Sequence, residues 1–221
     1  MTPEAFADLY PRLYHMTAAG GWEGIRADGL LPVARLLDRQ GADPDVRESV
    51  QFSRRPEQIE LAPGVVVRDN KILNEKALAR ALRDGLTPRD WYGILNARVF
   101  FWVNPARLDG LLAARPYRDR AHDVLAFDTL GVVRSRAGDV ECAPINTGAA
   151  IMKAAPRGLS TFVPLADLPY EAWRKRRGRA DAVVEVAVPG GVPDAGDHLL
   201  EVRRRRAGTP GDLLWSHRRP S

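Results

Sequence analysis

Short apolar runs and alternations succeed one another along the chain, separated by Gly, Pro and capping residues. Thr2 to Leu9 has the signature of a short helix, with Thr2 as N-cap and Pro3 at the first helical position; Pro11 ends it. Arg12 to Thr17 reads as a strand carrying one histidine. A helix then runs to a stop at Gly29, with Ile25 on its apolar side, and a second spans Pro32 to Arg39. Residues 41–63 are polar and patternless, which predicts a mobile loop over a site. Gly64 to Asp69 reads as a strand ending in two charges; helices follow from Asn74 to Arg83 and from Thr87 to about Leu95. In the second of these Thr at N-cap, Pro at N1 and an acid in the first turn agree with one another.

Arg98 to Val103 is the most apolar strand and is expected at the centre of a sheet. A helix from Asn104–Pro105 to Arg115, a strand from Asp123 to Asp128 continuing through Val132 and Val133, and a strand at Val140 to Ala143 come next. Residues 146–160, rich in Gly, Ala and Thr, read as a loop. Leu168 to Arg177 is helical and ends in a basic run, Ala182 to Val188 is a strand, and Leu199 to Arg205 is the last one. Helices and strands do not alternate strictly, so the expected class is α+β rather than a doubly wound sheet. The expected organisation is a single domain over residues 1–207 and a C-terminal tail, 208–221, in which Leu213, Leu214 and Trp215 are the residues able to dock.

Composition changes this picture in three ways. With 221 residues and 45% hydrophobic side chains, a substantial core is affordable. A single cysteine, Cys142, excludes an internal disulfide and a cysteine-cluster metal site. The N-terminus has no apolar signal segment and no run is long enough to span a bilayer, so a cytoplasmic, non-membrane location is expected. The net charge of +5 comes from 33 basic side chains, of which only Lys71, Lys76, Lys153 and Lys175 are lysine. Arginine's planar fork suits phosphate, although codon bias toward Arg and Ala explains the same numbers.

Several residues stand out from the pattern. Glu185 interrupts a strand of Val and Ala; a carboxylate there is either functional or turned to a solvated face. His15 and Thr17 share one face of their strand, with the backbone of Met16 between them; a satisfied core histidine is the plain alternative. Phe100, Phe101 and Trp102 offer rings for stacking, although core packing accounts for at least two of them. Of Arg47, Arg54, Arg55 and Arg68, the last is favoured for contact with a diphosphate or an acceptor, because a strand end fixes it. Asn96, just before the aromatic strand, is a polar reader of a ligand. Arg157 in the Gly-rich loop, with Arg174, Arg176 and Arg177, is a candidate for nucleic-acid contact.

The order of these parts resembles the ADP-ribosyltransferase fold, and within it the DarT-like branch that modifies DNA. The resemblance rests on Leu13-Tyr14-His15-Met16-Thr17 with its following helix, on Arg98 to Trp102 with Asn104-Pro105, and on Glu185 followed by Val-Ala-Val and the Val192-Pro193 turn. It implies a split, curved mixed β-sheet flanked by short helices, and NAD as substrate, without metal. It assigns Glu185, His15 and Arg68 to catalysis, Tyr14, His15, Met16, Thr17, Asn96, Phe100 and Phe101 to NAD, and a nucleic acid, with a DNA base favoured, as acceptor. A partner antitoxin or hydrolase is compatible with it. The central strand departs from many relatives in lacking a tyrosine. The chain is also similar to a bacterial family of unknown function, on the segments Leu13 to Thr17, Trp91-Tyr92, Leu95-Asn96, Arg98 to Trp102, Ile145 to Gly148 and Arg157-Gly158.

No phosphate-binding Gly-Lys-Ser/Thr loop, dinucleotide fingerprint, nucleophile elbow or metal spacing of histidines is present, which removes several common enzyme classes. The expectation is therefore an NAD-dependent ADP-ribosyltransferase. A non-catalytic module of the same fold that binds NAD or nucleic acid is the alternative, and a basic nuclease or RNA-processing factor is the weakest reading.

Overall fold

A computed structural model describes residues 1–151 and 153–217. Its strands are β1 (Arg12–Ala18), β2 (Ile59–Ala62), β3 (Val65–Val67), β4 (Arg98–Trp102), β5 (His122–Asp128), β6 (Glu141–Ala143), β7 (Val163–Pro164), β8 (Glu185–Pro189), β9 (Leu199–Arg205) and β10 (Asp212–Ser216). Its helices are α1 (Pro3–Leu9), α2 (Trp22–Asp28), α3 (Val33–Arg39), α4 (Pro44–Gln51), α5 (Glu75–Ala81), α6 (Pro88–Asn96), α7 (Pro105–Ala113), α8 (Thr129–Ser135) and α9 (Tyr170–Arg177). Eight strands form one sheet in the order β10-β9-β5-β1-β4-β8-β6-β7, and β2 with β3 make a separate hairpin. The class is α+β. Among the described residues the sheet's ladders are all antiparallel rather than mixed; parallel pairing is confined to the isolated bridges Leu73↔Ala150 and Leu82↔Arg157.

The pairing is uneven at one place. β1 pairs with β5 from Arg12↔Asp128 to Ala18↔His122, and β4 pairs with β8 from Arg98↔Pro189 to Trp102↔Glu185. Between β1 and β4, in contrast, only Tyr14↔Trp102 is in register. The sheet is thus two four-stranded halves joined at one residue pair, and a cleft opens along the seam.

Alternation decides what lies on each face. Leu13, Phe101, Leu125, Phe127, Val186 and Val188 point into one continuous core, completed by Phe6 of α1 and Val132 and Val133 of α8. Phe101 packs edge-on against Phe127, with ring centroids 5.5 Å apart, so this core bridges the two halves beneath the seam. Burying each such side chain contributes about 2 kcal/mol. Three smaller clusters lie elsewhere: Trp91, Tyr92 and Phe162 with Phe100; Met16, Leu108, Leu112 and Val124 with Tyr14 and Trp102; and Leu37, Val50 and Val67 of α3, α4 and β3.

Four expectations need correction. Residues 41–63 hold α4 and β2 instead of an unstructured loop. Asp43 accepts from Val46 N at 2.9 Å and Pro44 opens the helix, the same cap grammar that marks Thr87–Pro88. Val132 and Val133 belong to a helix, because Asp128 caps it through Gly131 N (2.8 Å). Glu185 is not mid-strand but opens β8, although Val184 N still donates to Ala143 O at 2.9 Å. Residues 212–216, expected as part of a tail, form β10 on the edge of the sheet, while 218–221 lie outside the described residues.

Two glycines close the cleft's outer wall. Gly29 has φ +88°, and a Cβ there would stand 2.4 Å from Pro193 O; Gly191 has φ +86°, and a Cβ would meet Leu30 O at 2.5 Å. That approach lets Leu30 and Val192 exchange backbone hydrogen bonds of 2.9 and 2.8 Å, tying the end of α2 to the turn after β8.

Candidate active site

The cleft has a volume of about 360 Å³ and is lined by β1, α2 and α3 with the segment between them, the hairpin strand β3 with Arg68 to Asn70, the end of α6, β4, residues 146–148 and Glu185. His15, Met16, Thr17, Arg68, Asn96, Phe100 and Glu185 all line it.

Glu185 is 5% exposed. Thr147 donates to its Oε2 twice, from the backbone N at 3.0 Å and from Oγ1 at 2.7 Å. Oε1 has no partner among the described residues. Burial outweighs these donors and pushes the carboxyl up to about 7. Thr147 is itself braced from behind: Arg157 Nη1 (3.0 Å) and Trp91 Nε1 (3.4 Å) both donate to its carbonyl. Arg157 is 3% exposed and also donates to Ala155 O, so it supports the Glu185 wall and is unavailable to a polymer at the surface. Within residues 146–160, expected as a loop, Thr147 positions the carboxylate.

On β1, His15 Nδ1 donates to Phe100 O across the seam at 2.9 Å. A carbonyl only accepts, so the proton is on Nδ1 and the Nε2 lone pair is left to accept from a ligand hydroxyl. Burial, reinforced by the Arg68 cation, holds the ring down at about 4, so it is neutral at physiological pH. Thr17 packs on the turn at Gly21, where an added Cβ would meet its Oγ1 at 2.9 Å. The neighbouring Gly20 N donates to the fully buried Asp123 (2.6 Å), whose charge Arg204 balances at 2.9 Å.

Four arginines line the cleft; Arg98 is paired with Glu141 and Arg39 donates to Asp28 O, which leaves Arg55 and Arg68 without an acidic partner among the described residues. Arg68 Nη1 donates to Met16 O (3.5 Å) and lies over the Tyr117 ring at 4.9 Å. Arg55 was one of four competing arginines in the sequence; it is 7% exposed and donates to Arg68 O (3.1 Å), Asn96 Oδ1 (3.1 Å) and Val50 O. Burial lowers both, Arg55 to about 10. Neither forms an ion pair among the described residues; Asp69, next to Arg68 in the chain, accepts from Tyr117 Oη at 2.8 Å. Arg47 pairs with Asp38, and Arg54 donates to Leu73 O and Lys71 O.

Asn96 is buried and spans from Arg55 to Gln51 O (2.6 Å), so it holds the cleft's frame. Phe101, 1% exposed, lies in the core and not in the cleft, and Tyr14 packs beneath α7. In place of Phe101 the second ring on the cleft is Trp102, which pairs in register with Glu185; the alternation that places Phe100 on that face places Trp102 there too. Arg174 pairs with Glu171 and Arg177 donates to Asp181 O; these and the exposed Arg176 stand on α9, outside the cleft lining. Among the described residues no helix is long and apolar enough to cross a membrane.

Comparison with known proteins adds a family and a likeness. The family described as "Family of unknown function (DUF7002)" matches residues 11–199. No curated protein matches. Among solved structures, the chain is similar to Thermosipho africanus DarTG in complex with ADP-ribose, with 14% identity and a TM-score of 0.45, over 87% of this chain and 43% of that one. It is also similar to Thermus sp. 2.9 DarT in complex with NAD+, with 16% identity and a TM-score of 0.37, over 87% and 81%. The chain thus spans less than half the length of the first of these proteins.

Proposed function

Since this chain belongs to DUF7002, a family of unknown function, its activity has to be read from its cleft, and we propose that it transfers ADP-ribose from NAD with release of nicotinamide. The observation that carries this reading is the placement of His15 and Glu185 on one cleft at the seam of the split sheet. The order and chemistry of the motifs that resemble ADP-ribosyltransferases point the same way.

The residues present suit NAD. A cleft of about 360 Å³ is within the range of cofactor-sized sites, roughly 300–1,000 Å³. Arg55 and Arg68 offer positive charge without a carboxylate partner among the described residues, which favours a diphosphate. Phe100 and Trp102 supply aromatic surface. NAD brings the glycosidic C–N bond whose electrons leave with nicotinamide. His15 Nε2 accepts from a ribose hydroxyl and so fixes the sugar. Glu185, held through one oxygen by Thr147, presents the other toward the ring on which positive charge develops. Met16, Thr17 and Asn96 shape the site around these groups.

The test is nicotinamide release from NAD, with wild type beside Glu185→Gln and His15→Ala. Loss of about 100-fold or more in the Glu185 variant is expected. Release that survives Glu185→Gln refutes the mechanism. NAD binding without release in wild type selects the non-catalytic module.

A further inference from the structure

Three short segments that stand out in the sequence, Trp91-Tyr92, Ile145 to Gly148 and Arg157-Gly158, meet behind the cleft at one atom. That atom is the carbonyl oxygen of Thr147. It accepts from Arg157 Nη1 at 3.0 Å and from Nε1 of the fully buried Trp91 at 3.4 Å. Thr147 in turn donates twice to Glu185, so it stands between the guanidinium and the carboxylate. Arg157 is not among the described residues that line the cleft.

The chain holds Arg157 from several directions. Its N donates to Ala81 O (3.0 Å) and its O accepts from Arg83 N (2.9 Å), which ties it to the end of α5. Its Nε donates to Ala155 O (3.1 Å), and its guanidinium lies 6.0 Å from the centre of the Trp91 ring. A buried guanidinium needs compensating charge, yet Arg157 forms no ion pair among the described residues. The surroundings of Glu185 supply it. The flanking strands β4 and β6 set the uncharged Trp102 and Ala143 opposite Glu185. Arg157 and Arg107 of α7 are the cations that act on it from behind and beside, and Arg107 is taken by Asp181 at 2.6 Å. His15, Arg68 and Asp69 line the same cleft. Of Arg157 and Arg107, Arg157 is the one that no other carboxylate claims.

We propose that Arg157 is a positioning residue for Glu185: through the Thr147 carbonyl it fixes the segment that grips one carboxylate oxygen, and its buried charge is the counter-ion of that carboxylate. Held in this way, Glu185 keeps its second oxygen for the cleft while its charge is balanced from behind Thr147. Trp91 braces the same carbonyl with a neutral donor, so it shares the bracing and not the charge. The effect on catalysis rests on the transferase reading; the bracing and the charge balance do not.

The experiment is an NMR titration of the Glu185 carboxyl carbon, assigned by its absence in Glu185→Gln, in wild type, Arg157→Met, Arg157→Lys and Trp91→Phe. Methionine removes the charge, so the midpoint should rise by about one pH unit. Lysine keeps the charge without the fork, and Trp91→Phe removes only the neutral donor, so in both the midpoint should stay close to that of wild type. Nicotinamide release reads the bracing. In Arg157→Met and Arg157→Lys kcat should fall about 10-fold or more, with KM for NAD within about 2-fold, because Arg157 touches Thr147 and not the ligand. The lower limb of the pH–rate profile should follow the NMR midpoint in each protein. Where Arg157→Met fails to fold, Arg157→Gln carries the same expectation. A midpoint unmoved in the neutral variants, or moved as far in Arg157→Lys or Trp91→Phe, overturns the proposal. So does a rise in KM that exceeds the fall in kcat. A midpoint that moves as expected in a protein that releases no nicotinamide leaves the role of Arg157 standing and removes the transferase reading alone.

Discussion

Glu185→Gln should stabilise the protein in a pH-dependent way, and the size of the effect follows from burial. The carboxyl ordinarily titrates at 4.5, and in the fold at about 7. Between these values the folded state binds more protons than the unfolded state, so stability falls as pH rises. The interval is about 2.5 pH units, and at 1.36 kcal/mol each the loss is about 3 kcal/mol, complete above pH 7 and absent below 4.5. Glutamine keeps an oxygen to accept from Thr147 N and Oγ1, and it carries no charge to desolvate. The variant's stability relative to wild type should therefore increase by about 3 kcal/mol between pH 4 and pH 8. Any fixed offset from the amide cancels in that comparison. Urea unfolding of both proteins at a series of pH values measures it, and for a chain of this size the thermal midpoint should separate by roughly 6–12 °C at pH 8. A difference that stays flat across the series would refute the claim that Glu185 is held in a desolvated site.

Three further outcomes are expected. Nicotinamide release should rise with pH through about 7 as Glu185 ionises, with no second inflection between pH 5 and 8, because His15 titrates near 4; a pH–rate profile reads both. Thr147→Ala removes one charge-assisted donor from Glu185, so the lower limb of that profile should move upward by about one pH unit, and Thr147→Ser should restore it. Arg55→Ala leaves Val50 O, Arg68 O and Asn96 Oδ1 without their donor and should cost about 3 kcal/mol in a denaturant melt, with Arg55→Lys recovering only part.

What was legible in the sequence was whatever local chemistry dictates. Leu199–Arg205 is a strand with the expected bounds, and the Thr87 and Asn74 caps open the helices they announce. The same grammar at Asp43–Pro44 went unread because the flanking segment lacks apolar rhythm, and tertiary contacts with α6 supply what the segment cannot. Glu185 was visible because a carboxylate is out of place among Val and Ala. Thr147 was not, since a threonine in a Gly-rich loop looks the same whether it faces water or a buried acid. Nothing local separates Arg55 from Arg54: one turns inward to Val50 and Asn96, the other outward to Lys71, and only the assembled fold decides. The basic run Arg203 to Arg205 is likewise absorbed by Glu201, Asp123 and Asp109.

A sheet joined across its middle by one residue pair is mechanically weakest at that line. Separating β1 from β5 breaks a ladder of paired residues along the whole strand, whereas separating β1 from β4 breaks Tyr14↔Trp102 and the His15–Phe100 bond. The common core beneath, where Phe101 meets Phe127, acts as the fixed axis of that opening. The cleft therefore runs along the line where the two half-sheets share the fewest backbone pairs. Entry and exit can proceed by a slight parting of the two half-sheets, with the rest of the backbone at rest.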